Sequence, residues 1–138
     1  MSDDTTVLVV DDDEDLLQLL AIRLRRAGYV VEAVTSAEAA LRSMATSQPA
    51  VVVTDLKMGE MDGLGLLEEI KARYPVLPVI MMTAHGTIPE AVSATRQGAH
   101  AFITKPIEPG ELIECLRSAT RLHGAAHADP GQPGNNAQ

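Results

Sequence analysis

Apolar and polar positions fall in blocks along this chain, and the period within the blocks changes in a regular way. Five short apolar runs, Val7–Val10, Val30–Val34, Val51–Thr54, Val79–Met82 and Ala101–Thr104, are continuous rather than alternating. Continuous runs of this length are expected of parallel strands covered on both faces. Between them the apolar residues recur at helical spacing. Leu16, Leu17, Leu20, Leu24 and Ala27 form one stripe, ended by Gly28. Thr35-Ser36-Ala37-Glu38 has the form of a capping box and predicts a second helix running to about Thr46. Leu64, Leu67, Ile70 and Tyr74 mark a third helix, stopped before Pro75. Ile88, Ala91, Val92 and Thr95 mark a fourth, with Pro89 in its first turn and Gly98 past its end. Leu112, Ile113, Leu116, Ala119 and Leu122 mark a fifth, with Pro109 near its start.

Strand and helix thus alternate strictly, five times over. This predicts an α/β fold, a doubly wound (βα)5 five-stranded parallel sheet with helices on both faces. The predicted domain spans residues 1–123, with a core of about 6–122. Residues 124–138, "GAAHADPGQPGNNAQ", offer no apolar face and read as a flexible C-terminal tail or linker. In a sheet of this kind ligands bind outside the carboxyl ends of the strands, where the strand order reverses. If the strand order is 2-1-3-4-5, that crevice lies between the first and third strands. Polar residues gather along the same edge: Asp11 and Asp12 after the first strand, Asp55 after the third, Thr83 after the fourth and Lys105 after the fifth.

Composition narrows the chemistry. The 138 residues are 46% hydrophobic, enough for one core, and the single cysteine leaves no internal disulfide framework, which suits a reducing cytoplasm. A net charge of −8 and 2% aromatic content argue against direct nucleic-acid binding by a basic face or by stacking. No apolar run approaches a membrane span of about 20 residues, and "MSDDTT" lacks the basic start of a secretory signal.

Three carboxylates converging on one pocket repel one another and need a cation. An all-oxygen donor set without His or Cys favours Mg2+, which keeps several waters and readily takes a phosphate oxygen. Lys105 and Thr83 would add a positive charge and a hydroxyl donor, as phosphoryl transfer requires. Singly, each residue has a plainer explanation. "DDDED" at 11–15 fits a solvated run in which Asp13 caps the first helix, Thr83 fits a strand-end hydroxyl, and Lys105-Pro106 fits an ordinary turn. Their convergence on one edge selects the functional reading. His85, His100, His123 and His127 lack metal-ligand spacing and read as surface or packing residues, and Cys115 reads as partly buried and inert.

Four segments carry a family resemblance: "VLVVDDD" at 7–13, "VVTDLKMGEMDGLGLLEEI" at 52–70, "VIMMTAHG" at 79–86 and "AFITKP" at 101–106. Together they resemble the receiver domain of a two-component response regulator, with its CheY-like sheet, over essentially all of Thr6 to Leu122. The stretch "TAHGTIPEAVSATRQGAHAFITKP" is most similar to receivers of NtrC-type, sigma-54-dependent regulators, and shares part of its pattern with FixJ-type receivers. The resemblance implies that Asp55 is the phosphoacceptor and that Mg2+ is held by Asp11, Asp12, Asp55 and the backbone carbonyl of Lys57. Asp12 would bind the metal directly, and Asp11 largely through water. Thr83 and Lys105 would bind phosphoryl oxygens. Phe102 would stand at the aromatic switch position, with Thr83 as its switch partner, although Phe lacks the hydroxyl of the more usual Tyr. Gly59 replaces a common Pro, and a cis Lys105–Pro106 bond is implied.

The implied partners are a sensor histidine kinase as phosphodonor, a phosphorylation-dependent second copy, and C-terminal ATPase and DNA-binding effector domains. The implied chain is no classical enzyme, beyond catalysing its own phosphorylation and dephosphorylation. Three alternatives stand beside this reading. Asp11-x-Asp13 has the spacing of a haloacid dehalogenase-like, Mg2+-dependent phosphatase, but Asp15 and the short chain depart from that pattern. A flavodoxin-like nucleotide carrier would place Gly, Ser or Thr donors where "DDDED" stands. A receiver acting alone on a partner protein, or purely as an interaction domain, shares the sheet but differs in output.

Overall fold

The strand and helix blocks fold in the order in which they are read. The computed structural model describes residues 5–57, 63–84 and 88–127. Within them run β1 (Thr6–Val10), α1 (Glu14–Arg26), β2 (Val30–Val34), α2 (Ala37–Thr46) and β3 (Val51–Asp55). They are followed by α3 (Gly63–Arg73), β4 (Val79–Thr83), α4 (Ile88–Arg96), β5 (Ala101–Thr104) and α5 (Pro109–His127). The five strands form one parallel sheet in the order β2-β1-β3-β4-β5, as predicted.

Each parallel strand is continuously apolar because successive side chains enter different layers. Val7, Val9, Val51, Val53, Ile80 and Met82 join Leu17, Leu20 and Leu24 of α1 and Leu112 and Leu116 of α5 in one cluster. Leu8, Val10, Val52, Val79 and Met81 point the other way, into a second cluster with Met44 of α2, Leu66, Leu67 and Ile70 of α3, and Ala94 of α4. β3 and β4 are buried along their whole length. β2 departs from the expectation of two covered faces: Val30, Glu32 and Ala33 are exposed, because β2 is an edge strand.

The helix ends follow local chemistry, with three corrections to the sequence reading. Asp13 caps α1, its side chain accepting from the amides of Asp15 and Leu16 at 3.1 and 3.2 Å. Ser36 alone caps α2, accepting from the Ala39 amide at 3.0 Å, so the predicted Thr35–Glu38 box is displaced by one residue. The register of the cap decides this, since the third helical amide belongs to Ala39 and not Glu38. In α4, Val92 and Thr95 of the predicted inward stripe are exposed, and Ala94 is buried instead. No large apolar side chain on the described face of α4 outweighs the close fit of Ala94 to the sheet. α5 runs to His127, four residues into the segment read as tail. Met58, Gly59, Met61, His85 and residues 128–138 lie outside the described residues.

Truncation in either cluster leaves a cavity that the flanking strands cannot close. Leu20 is fully buried between α1 and the sheet. Leu20→Ala is expected to lower the unfolding free energy by about 2–5 kcal/mol in urea denaturation.

Candidate functional site

Strand register brings the polar residues together. Val10 pairs with Thr54, so Asp11 and Asp55, the next residues along, stand level on neighbouring strands. Asp55 pairs with Met82, and Thr83 pairs with Thr104 one step further. Lys105 continues this edge, its amide donating to the Thr83 carbonyl at 2.6 Å. Asp55 and Thr83 are the last residues of β3 and β4 and do not follow them, so ladder bonding holds their backbones. Asp11, Asp55 and Thr83 are buried, whereas Asp12 is exposed.

One carboxylate oxygen from each of Asp11, Asp12 and Asp55 lies within 4.8 Å of the other two. Lys105 reaches in from the end of β5. Its Nζ lies 2.8 Å from Asp11 Oδ2 and 3.4 Å from Asp55 Oδ1. The other oxygen of Asp11 accepts from the Asp13 amide at 2.9 Å. Both oxygens of Asp11 are therefore already engaged, whereas Asp12 faces solvent. The Lys105–Pro106 bond is cis. The side chain of Lys57, just after β3, is exposed. Phe102 is half-buried against the cluster that contains Ala94 and Met81.

The electrostatics follow from this crowding. Burial holds the Asp55 carboxyl above the usual carboxylate range, the charge of Asp11 adds to the effect, and Lys105 opposes it. Burial also disfavours the Lys105 ammonium, but its hydrogen bond to Asp11 and the charges of Asp11 and Asp55 outweigh that and raise its pKa. One ammonium among three carboxylates leaves an excess of negative charge. The donors are all hard oxygens, with no His or Cys among them, so the residues present fit a small divalent cation.

The remaining polar residues separate from this cluster. Asp13 is committed to capping α1, which removes the second aspartate that a D-x-D phosphatase would use. His100 Nε2 lies 3.4 Å from Ser118 Oγ, a packing contact between elements. Cys115 is half-buried, and burial followed by the charges of Glu111 and Glu114 pushes its thiol pKa up. Such a thiol is poorly nucleophilic.

The Asp13 amide that orients Asp11 was not visible in the residue pattern, nor was the Thr54 hydroxyl that donates to the Asp55 carbonyl at 3.1 Å. Nor does the residue pattern single out Gly63, whose amide donates to the Leu56 carbonyl at 2.8 Å, directly beside Asp55. The Asp62-Gly63 dipeptide was its one signal in the sequence.

Both shifts are upward, so each makes the metal-free fold less stable as pH rises, in a different pH range. Folded Asp55 binds its proton more tightly than the unfolded chain does. Its ionisation therefore disfavours the fold above the ordinary carboxylate range, and the effect disappears in acid. Lys105 contributes stability that is complete below the ordinary lysine pKa of 10.5 and is lost as pH rises through its higher folded value. Without divalent cations, Asp55→Asn is accordingly expected to raise Tm at pH 7. In calorimetric scans that gain should shrink as the pH is lowered into the range where folded Asp55 takes up its proton.

Comparison with known proteins agrees with this geometry. The family model described as "Response regulator receiver domain" matches residues 7–117. The chain is 44% identical over 113 residues to the transcriptional regulatory protein GlrR of Escherichia coli K12, an alignment covering 82% of this chain and 26% of that protein. The receiver domain of NtrX from Brucella abortus superposes with a TM-score of 0.79 at 39% identity, covering 83% of this chain and 98% of that one. A longer NtrX structure from the same organism, in complex with ADP, gives a TM-score of 0.85 at 36% identity, covering 95% of this chain and 31% of that one. The chain thus spans about a quarter of the length of GlrR. On its motifs, its sheet order and these matches, it belongs to the response regulator receiver domain family.

Proposed function

We propose that this chain is the phosphoacceptor module of a two-component regulator, and that Asp55 is the residue modified. The observation that carries the reading is the placement of the Asp55 carboxylate between Lys105 at 3.4 Å and the carboxylates of Asp11 and Asp12. That nucleophile sits at the crevice where the strand order reverses. Asp11, Asp12, Asp55 and the Lys57 carbonyl would hold Mg2+, with Asp12, the exposed member, bound directly. Asp11, already engaged on both oxygens, would act through water. When bound, the ion supplies positive charge to the carboxylates and to an incoming phosphoryl group.

The chain's own residues account for the rest of the chemistry. An oxygen of Asp55 attacks phosphorus in line and forms the acyl phosphate. The bond from phosphorus to the donor breaks, and its electron pair leaves with the donor, the imidazole nitrogen of a phosphohistidine or the acetate of acetyl phosphate. Lys105 carries positive charge to the phosphoryl oxygens, a role that its bridging of Asp11 and Asp55 has prepared. Thr83, the last residue of β4, would donate its hydroxyl to the same oxygens. The phosphoryl group itself carries roughly −1.5 to −2 charges, offset in part because the Asp55 carboxylate gives up its own charge on forming the acyl phosphate. The pull on Thr83, transmitted to the start of α4, would reposition α4 and the half-buried Phe102 and so bias a two-state element.

GlrR is a transcriptional regulatory protein by name, and the longer NtrX was solved with ADP. By likeness to these relatives, the phosphorylated receiver would act through attached ATPase and DNA-binding domains, with a sensor histidine kinase as donor and a second copy of the chain as partner. The same likeness supports a cytoplasmic setting. No helix among the described residues is long and apolar enough to cross a membrane.

Incubation with labelled acetyl phosphate and Mg2+ is expected to yield one acid-stable, hydroxylamine-labile phosphate per chain. EDTA or Asp55→Asn should abolish it. Label retained by Asp55→Asn at the wild-type rate would falsify the assignment. Separately, beryllofluoride is expected to shift the chain toward dimer in sedimentation, and an unchanged monomer would sink the dimer reading.

A further inference from the structure

Gly63 opens α3 at a point where the helix presses on the backbone that carries Asp55. A Cβ built on Gly63 would overlap the carbonyl oxygen of Asp55. It would also lie 2.8 Å from the Cα of Leu56 and 3.0 Å from the carbonyl carbon of Asp55. Every one of these neighbours is main chain, so no side-chain rotation relieves the overlap. Among the described residues the glycines at positive φ are Gly28 and Gly98, and Gly63 is not one of them. Conformational freedom is therefore not what demands glycine here. Close approach is.

The Asp55–Leu56 peptide cannot retreat from such an intrusion. On the β4 side the Leu56 amide donates to the Met82 carbonyl at 2.7 Å. The Thr54 hydroxyl donates to the Asp55 carbonyl at 3.1 Å, and the Leu56 side chain is buried. On the α3 side the Gly63 amide donates to the Leu56 carbonyl at 2.8 Å. The peptide is thus clamped between β4 and the first turn of α3. It carries Asp55 at one end and leads into Lys57 at the other.

We infer that Gly63 is a positioning residue for the phosphoacceptor site. By bringing no side chain to the Asp55–Leu56 peptide and donating its amide to the Leu56 carbonyl, it sets where the Asp55 carboxylate and the Lys57 carbonyl stand relative to Asp11 and Lys105. The inference rests on Asp55 being the phosphoacceptor and on Mg2+ binding beside it. A methyl group at position 63 must push α3 and this peptide apart. Displacement of reacting groups by about 1 Å costs on the order of 100-fold in rate, and disturbed support of metal ligands costs about 10–100-fold in affinity.

The test compares wild type, Gly63→Ala and Gly28→Ala. Gly28 follows α1 at φ +102° with no atom near its built Cβ, so its alanine variant loses stability without touching the site. Mg2+ affinity is measured by titration calorimetry and acetyl-phosphate labelling by rate, at a temperature where circular dichroism shows each protein folded. Gly63→Ala is expected to bind Mg2+ at least about tenfold more weakly and to label about 100-fold more slowly, with Gly28→Ala like wild type in both. Wild-type affinity and rate in Gly63→Ala would overturn the inference, as would equal losses in both variants. Should Gly63→Ala fail to fold, a ligated protein with an ester in place of the Asp62–Gly63 amide removes the Gly63 N–H without adding a Cβ. Weaker Mg2+ binding by that protein supports the positioning role, and unchanged binding refutes it. If wild type itself neither binds Mg2+ nor labels on Asp55, the phosphoacceptor reading fails. If wild type does both and Gly63→Ala matches it, the positioning role alone fails.

Discussion

Repulsion between carboxylates sets the terms for everything at the carboxyl edge of this sheet. Asp11 and Asp55 are buried, with oxygens no more than 4.8 Å apart. At that distance two like charges oppose each other by about 3–4 kcal/mol with an effective dielectric near 20. Exposed Asp12 adds a smaller, solvent-screened share. A chain free to relax would separate them. Lys105 answers part of the conflict by bridging Asp11 and Asp55, and the Asp13 amide answers a further part at Asp11. The negative charge left over is what would make the cluster receptive to a divalent cation and, through it, to a phosphoryl group.

Holding unlike-minded groups together needs a frame that does not yield, and the sheet supplies it. β3 and β4 are buried along their length, with one apolar cluster on each side. Ladder bonding extends to Asp55 and Thr83 themselves, so these residues inherit the rigidity of the core. Lys105 comes from the far edge strand and is brought back by the backbone bond from its amide to the Thr83 carbonyl. The same packing that stabilises the domain thus stores the electrostatic conflict at its carboxyl edge. Burial raises the pKa of Asp55, and an acyl phosphate formed there would exchange one crowded charge arrangement for another. Such a local exchange is suited to biasing α4, which offers one small buried residue, Ala94, among its described side chains.

Much of this was legible in the residue pattern. The five strands and the line of Asp11, Asp12, Asp55, Thr83 and Lys105 follow from continuous apolar runs and from what stands at their ends, and the sheet order from the family resemblance. The misreadings occurred where periodicity carries little energy. In α4 the stripe through Val92 and Thr95 looked inward, yet small side chains bind a helix weakly to one rotation, and Ala94 is the buried position. At α2 a shift of one residue moved the cap from the expected box to Ser36. β2 reads like its neighbours because its exposure comes from its place at the edge and not from its composition.

Residue pattern alone is enough to say which groups meet. Continuous apolar runs and a 3.6-residue helical period, repeated in strict alternation, predict a parallel sheet with helices on both faces, and that sheet delivers the polar strand ends to one edge. How they meet is a matter of three-dimensional packing. That Asp11 spends one oxygen on Lys105 and the other on the Asp13 amide depends on distances across residues far apart in sequence. That Gly63 must be glycine depends on how closely α3 approaches the Asp55–Leu56 peptide. Periodicity specifies directions, and direction is enough to choose neighbours. Contact distances of about 3 Å are set by the packing of the whole core, which no local pattern encodes.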